Sequence, residues 1–456
     1  MNTALHADWA LVNDRWEHHV RVVIDASGRI ASVDHGLPAQ PGDQCLRDRA
    51  LLPAPGNLHS HAFQRAMAGR TERRGATTDS FWTWRDQMYR FVERMTPDQL
   101  QAVAALAYVE MLEAGYGAVA EFHYLHHAAD GRPYTDIAET STHIVAAAQA
   151  AGIGLTHLPV LYQRGGLDGR PPTGGQRRFA CDADQYAALL SAARRAAAQG
   201  RPDTLVGVAP HSLRAVDATG LQAALALADG GPVHLHIAEQ SGEVEQVLAA
   251  TGQRPVQWLL DHMAVDAGWC LIHATHLDDD ELRGVLRSGA TVGLAPITEA
   301  NLGDGLFRAA DYRAQGGRFG VGTDSNVRIA LAEELRTLEY GQRLAQQRRT
   351  VLAQANGSNG RALFDAVCAG GAAALGRASG RIAAGCWADL LTLDLNHVDL
   401  AQSTDDGWLD AWVFAASGTV VSELWSAGRQ RVCAGRHVDR DAIERRYRQV
   451  LRELTI

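Results

Sequence analysis

Leu51-Leu52-Pro53-Ala54-Pro55-Gly56-Asn57-Leu58-His59-Ser60-His61 is an apolar run that ends in two histidines one residue apart. Runs of this kind return at 117–123, 153–162, 205–209, 232–238, 269–274, 290–295 and 318–323, which with 51–58 makes eight. Helical stretches separate them. Near-continuous apolar strands alternating with helices imply an α/β fold with a parallel sheet covered on both faces. Eight such units close into a (β/α)8 barrel. A doubly wound open sheet is the alternative, but no G-x-G-x-x-G follows the first run.

Outside these runs the texture changes. Residues 20–33 alternate around Ala26-Ser27-Gly28, a hairpin pattern, and a similar texture returns at 381–394 and 420–438. The two ends are expected to pair as a small β-sandwich beside the barrel. This divides the chain into 1–50, the first part of the sandwich; 51–376, the catalytic barrel; and 377–456, the rest of the sandwich with a charged amphipathic helix over 439–453.

The formal net charge of -9 provides no basic stripe for nucleic acid. All 43 basic residues are arginine. Without lysine there is no Schiff-base amine, no phosphate-loop lysine and no carboxylated lysine to bridge two metals. The six cysteines (Cys45, Cys181, Cys270, Cys368, Cys386 and Cys433) form no C-x-x-C pair, which predicts reduced thiols. No basic leader with an apolar stretch opens the sequence, and no run reaches the ~18 apolar residues of a membrane span. The cytoplasm is the expected location.

Polar residues of chemical interest cluster at the C-terminal ends of the predicted strands, where barrel enzymes build their sites. His59 and His61 end the first; a spacing of two on an extended strand points both imidazoles to one side. His236 and Glu239 end the fifth, His273 the sixth and Asp324 the eighth. Taken singly, each has a structural reading, and a strand-end aspartate often caps a helix. His234, deeper in its strand, and His123, His126, His127, His157 and His276 are expected to be structural. What carries weight is four strand ends contributing ligand-type residues to one rim.

In order along the chain, H-x-H, then H-x-x-E, then H, then D resembles the amidohydrolase superfamily, specifically its mononuclear deaminase branch. The stretch Gly380-Arg381-Ile382-Ala383-Ala384-Gly385-Cys386-Trp387-Ala388-Asp389-Leu390 is similar to that family's return into the sandwich. The resemblance implies that His59, His61, His236 and Asp324 bind one Zn2+, with Fe2+ and Mn2+ compatible with the same N/O ligands, and that the metal activates water. It further implies that Asp324 takes the water's proton, His273 orients the attack and Glu239 carries a proton to the leaving nitrogen. The fourth strand ends at His211, which argues against a lysine-bridged two-metal centre. A homodimer is the family expectation.

Gln64, Arg85 (placed in the long loop after the first strand), Tyr124, His211 and Arg214 together look like the substrate pocket of the formimidoylglutamate deiminases. Two arginine forks suit a small substrate with two carboxylates. The rival readings are another deaminase on the same scaffold, acting on guanine, an adenosine-derived thioether or a triazine, and a non-catalytic barrel. The barrel-only reading is disfavoured because every ligand and Glu239 are present.

Overall fold

A computed structural model describes residues 3–73 and 80–455 of the chain. Four strands open it: β1 (Thr3–Val12), β2 (Arg15–Ile24), β3 (Ile30–Asp34) and β4 (Gln44–Pro53). The barrel strands follow: β5 (Gly56–Ser60), β6 (Ala118–His123), β7 (Gly154–Leu161), β8 (Leu205–Val206), β9 (Ala209–Pro210), β10 (Val233–Ile237), β11 (Trp269–His273), β12 (Thr291–Leu294) and β13 (Phe319–Val321). The chain closes with β14 (Leu390–Asp394), β15 (Val421–Ser426), β16 (Arg429–Cys433) and β17 (Arg436–His437).

The barrel consists of two parallel ladders joined at two seams. One ladder runs β5-β6-β7-β8, with β9 also paired to β7; the other runs β10-β11-β12-β13. Bridges Val208 to Val233 and Ser212 to His236 make the first seam, and Ser60 to Asp324 makes the second. Every residue of β5, β10 and β11 is buried, as strands packed on both faces require. Gly322 makes the second seam close enough: a Cβ there would lie 2.6 Å from the backbone N and O of His59.

Two expected strands divide on folding. The run 51–58 is shared, since Leu51 and Leu52 belong to β4 of the end sheet and Gly56 begins the barrel. Pro53 and Pro55, which lack donors for a continuous ladder, bracket the break. The fourth run splits into β8 and β9, which pair with successive parts of β7.

The two ends of the chain pair as their sequences suggest, in one continuous eight-stranded sheet ordered β17-β16-β15-β14-β4-β1-β2-β3. β2 and β3 form the expected hairpin, with Gly28 at φ +90°. This sheet has its own apolar cluster, including Leu5, Val20, Val22, Ile30, Leu390 and Trp425. A buried ionic network ties it to the barrel: Arg377 donates to Asp389 at 2.7 Å and to Asp203 at 2.8 Å. The terminal helix Arg440–Thr455 lies on helix Pro97–Ala114, with Arg440 donating to Glu113 at 2.6 Å. No helix among the described residues is long and apolar enough to cross a membrane.

Candidate metal centre and active-site pocket

His59, on β5, and His61, just past its end, meet His236 of β10 and Asp324 beyond β13, with one ligand atom from each lying within 4.8 Å of all the others. His59 Nε2 is 3.2 Å from His61 Nε2 and 3.1 Å from His236 Nε2. Asp324 Oδ1 is 3.2 Å from His61 Nε2 and 3.5 Å from His59 Nε2. The outer nitrogens decide the tautomers. His61 Nδ1 donates to the Phe122 carbonyl at 2.9 Å and His236 Nδ1 to the His211 carbonyl at 3.2 Å, so both Nε2 lone pairs face inward. Burial lowers the pKa of all three rings, that of His59 to about 3, which keeps them in the neutral form that can coordinate. Three imidazole lone pairs and a carboxylate converging in one buried space repel one another unless a cation lies among them. The donor set therefore fits a divalent metal of the zinc type.

Backbone geometry aims the groups around this cluster. Ala238, His273, Ala274 and Asp324 all have φ between +44° and +68°, a left-handed conformation uncommon for residues other than glycine. The second seam fixes Asp324: its N–H donates to the His59 carbonyl and its own carbonyl accepts from His61 N–H, both at 2.9 Å. His273 Nε2 sits 3.9 Å from both Asp324 Oδ2 and Glu239 Oε1. Burial opposes a charge on Asp324, but His59, His61 and His273 outweigh it and hold the carboxyl well below its usual range. Burial also opposes a charge on His273, yet Glu239, Glu299 and Asp324 raise it to about 10. Glu239 goes the other way. Burial, against the pull of His273 and Arg214, lifts it to about 7, where a carboxyl can both give and take a proton.

A pocket over this cluster is lined by Gln64, Arg85, Tyr124, His211 and Arg214 together with His61, His236, Glu239, His273 and Asp324. All five residues singled out for substrate contact therefore share one cavity with the reactive groups. Arg85 is not in a loop, as expected from sequence, but on helix Phe81–Val92, whose first turn carries the capping pair Ser80 and Thr83. That helix lines the wall with Phe81, Trp84, Met88 and Tyr89. Arg85 lies 4.6 Å over the Trp82 ring and Arg214 5.6 Å from it, so one indole borders both guanidiniums. Gln64 donates to Tyr124 Oη at 2.8 Å. The histidines read as structural stand apart from the cluster: His234 bonds the Ala374 carbonyl, His123 Thr140, His126 the Val160 carbonyl, His127 the Ala180 carbonyl and His276 the Asp304 carbonyl. His157 is wholly buried in β7.

Comparison with known proteins fits this geometry. The model described as "Amidohydrolase family" matches residues 50–431. The chain belongs to the amidohydrolase family. A second model, "Formimidoylglutamate deiminase HutF, N-terminal domain", matches residues 2–46 of this amidohydrolase. A formimidoylglutamate deiminase of Pseudomonas aeruginosa is 49% identical over 99% of each chain. The solved structure of an amidohydrolase from Brucella melitensis superposes with a TM-score of 0.95 at 47% identity, covering 100% of both chains. A 5-methylthioadenosine/S-adenosylhomocysteine deaminase of Natronomonas pharaonis is 27% identical over 80% of this chain and 78% of its own. The protein is thus a hydrolase, and of these three named relatives the one with the highest identity is a deiminase.

Two residues of this amidohydrolase's site had no signal in the sequence. Glu299, on the short helix Pro296–Leu302, accepts from His273 Nδ1 at 3.2 Å. Asp304, raised to about 9 by burial and by the carboxylates of Glu239, Glu299 and Asp324, accepts from the side chain of Gln240. Neither belongs to a spaced ligand motif, and both lie after a strand that carries no metal-type residue.

Proposed function

We propose that this chain hydrolyses N-formimino-L-glutamate to N-formyl-L-glutamate and ammonia, a step of histidine degradation, in the cytoplasm and with one zinc held by His59, His61, His236 and Asp324. One observation carries the reading. Arg85 and Arg214 line the same pocket, and the Nε of each is buried with no hydrogen-bond partner in the protein. Buried guanidinium donors without a protein partner, on two arginines that line one cavity, suit an anionic ligand, and this substrate has two carboxylates. The name of the Pseudomonas aeruginosa relative supports the same assignment.

The bound metal supplies Lewis-acid activation of water. The protein's own groups do the rest. The two arginines hold the glutamyl carboxylates, with Tyr124, Gln64 and His211 closing the pocket around the amidine. Asp324 accepts the proton of the attacking water at its carboxylate, beside His273, which directs the attack on the amidine carbon. Glu239 delivers a proton to the departing nitrogen, so that ammonia leaves rather than an amide anion. Arg214, 3.8 Å from Glu239, couples recognition to that proton.

A hydrogen bond to a charged group contributes ~1.5–3 kcal/mol. Arg85→Met and Arg214→Met are each expected to lower kcat/KM for formiminoglutamate by about tenfold or more, at ~1.4 kcal/mol per decade. Formamidine, which has no carboxylate, should show little change from wild type. Ammonia release from both substrates measures this, and equal losses on the two would assign the arginines to the fold instead of to recognition.

A further inference from the structure

We infer that Glu299 is a positioning residue that holds the His273 imidazole in the orientation the reaction uses. The inference rests on the deiminase reading above. Glu299 is 5% exposed, and its Oε1 lies 3.2 Å from His273 Nδ1. The same oxygen accepts the backbone N–H of Ala295 at 2.9 Å, at the start of the helix that carries Glu299. One carboxylate oxygen is thereby tied to the end of β12 and to the ring at the end of β11. A carboxylate can only accept, so the proton of that bond belongs to His273 Nδ1. Nε2 is then the nitrogen left facing Asp324 and Glu239, with no hydrogen-bond partner within the protein.

The backbone makes this second tether necessary. His273 and Ala274 are in the left-handed region, at φ +68° and +47°, where the chain turns out of β11. His273 is the last residue of the β10–β11 ladder, paired with Ile237, and the ladder holds its backbone while leaving the ring to be fixed by another group. Glu299 does so from the neighbouring strand's loop. Its own anchor is independent of the metal ligands.

The experiment is a double-mutant cycle with Glu299→Ala, Glu299→Gln, His273→Ala and Glu299→Ala with His273→Ala. Ammonia release from N-formimino-L-glutamate gives kcat and KM, and zinc content and Tm are followed in parallel. Removing a hydrogen-bond partner that orients a metal-ligating imidazole typically costs about 10–100-fold, and a loss of the same order is expected for His273. Glu299→Ala is expected to lower kcat by about that factor with KM nearly unchanged. Glu299→Gln, which keeps an oxygen acceptor, should recover most of the loss. In the His273→Ala background Glu299→Ala should have no further effect, because the two act as one unit. Additive losses, full kcat in Glu299→Ala, or a Gln variant as slow as the Ala variant would each overturn the role. If Glu299→Ala does not fold, Glu299→Leu, which keeps most of the volume and removes the acceptor, carries the same cycle. A readout without substrate separates this from the deiminase assignment. The downfield Nδ1–H proton resonance of His273 should be present in wild type and lost in Glu299→Ala and His273→Ala. Its absence from wild type overturns the contact, whereas a wild type that shows it but releases no ammonia overturns the substrate reading alone.

Discussion

Glu239→Gln is expected to keep the fold, the metal and the pocket while losing about 10²–10⁴-fold in kcat, the usual contribution of a positioned proton donor. The substitution is nearly isosteric, and Glu239 is not one of the four residues of the ligand cluster. Its environment is already arranged for transfer. Burial lifts the carboxyl to about 7, and Arg214 at 3.8 Å and His273 at 3.9 Å limit the rise. An amide keeps the shape and cannot carry the proton. Steady-state kinetics with metal analysis on the same preparation checks this. Near wild-type kcat in Glu239→Gln would remove it from the reaction.

Chelation should abolish turnover altogether while leaving the far-ultraviolet circular dichroism largely intact. The barrel is held by its apolar core and by the ladders and seams of its backbone, none of which needs an ion. In the proposed mechanism the attacking water does need one, since a bound metal would bring its pKa from 15.7 toward ~7. Zinc should be found at about one per chain and should restore activity on readdition. Asp324→Asn should lose metal affinity and turnover together, because a neutral amide is a poorer ligand and no base. A reproducible two metals per chain would contradict the single cluster, and activity that survived complete chelation would remove the metal from the mechanism.

The metal cluster was legible because its residues are tied to strand ends. His59, His61, His236 and Asp324 sit where apolar runs stop, and barrel geometry brings strand ends to one rim. Glu239 and His273 followed from the same pattern. Arg85 was identified as a residue but not placed on its helix: Phe81–Val92 has a scattered aromatic pattern that suits a pocket wall better than a buried stripe. Glu299 was invisible because its contact spans two strands and depends on a left-handed turn at His273, which neither composition nor spacing encodes. The shared first run shows the same limit, since only pairing reveals that Leu51 and Gly56 serve different sheets.

The residues proposed for substrate recognition and those proposed for proton transfer fall on opposite sides of one turn in the chain. Gln64, Arg85, Tyr124, His211 and Arg214 all precede the exposed turn at Asp229 and Gly230, and Glu239, His273 and Asp324 all follow it. On the roles proposed above, the residues that select the substrate and those that act on it lie in separate halves of the chain, which meet at the seams and at the Arg214–Glu239 pair. A genetic crossover at that turn would exchange the substrate-side residues and keep Glu239, His273 and Asp324, provided the incoming half supplies counterparts of His59, His61 and Arg214. Diversification on such a scaffold can proceed by recombination, without each new activity having to reinvent its catalyst.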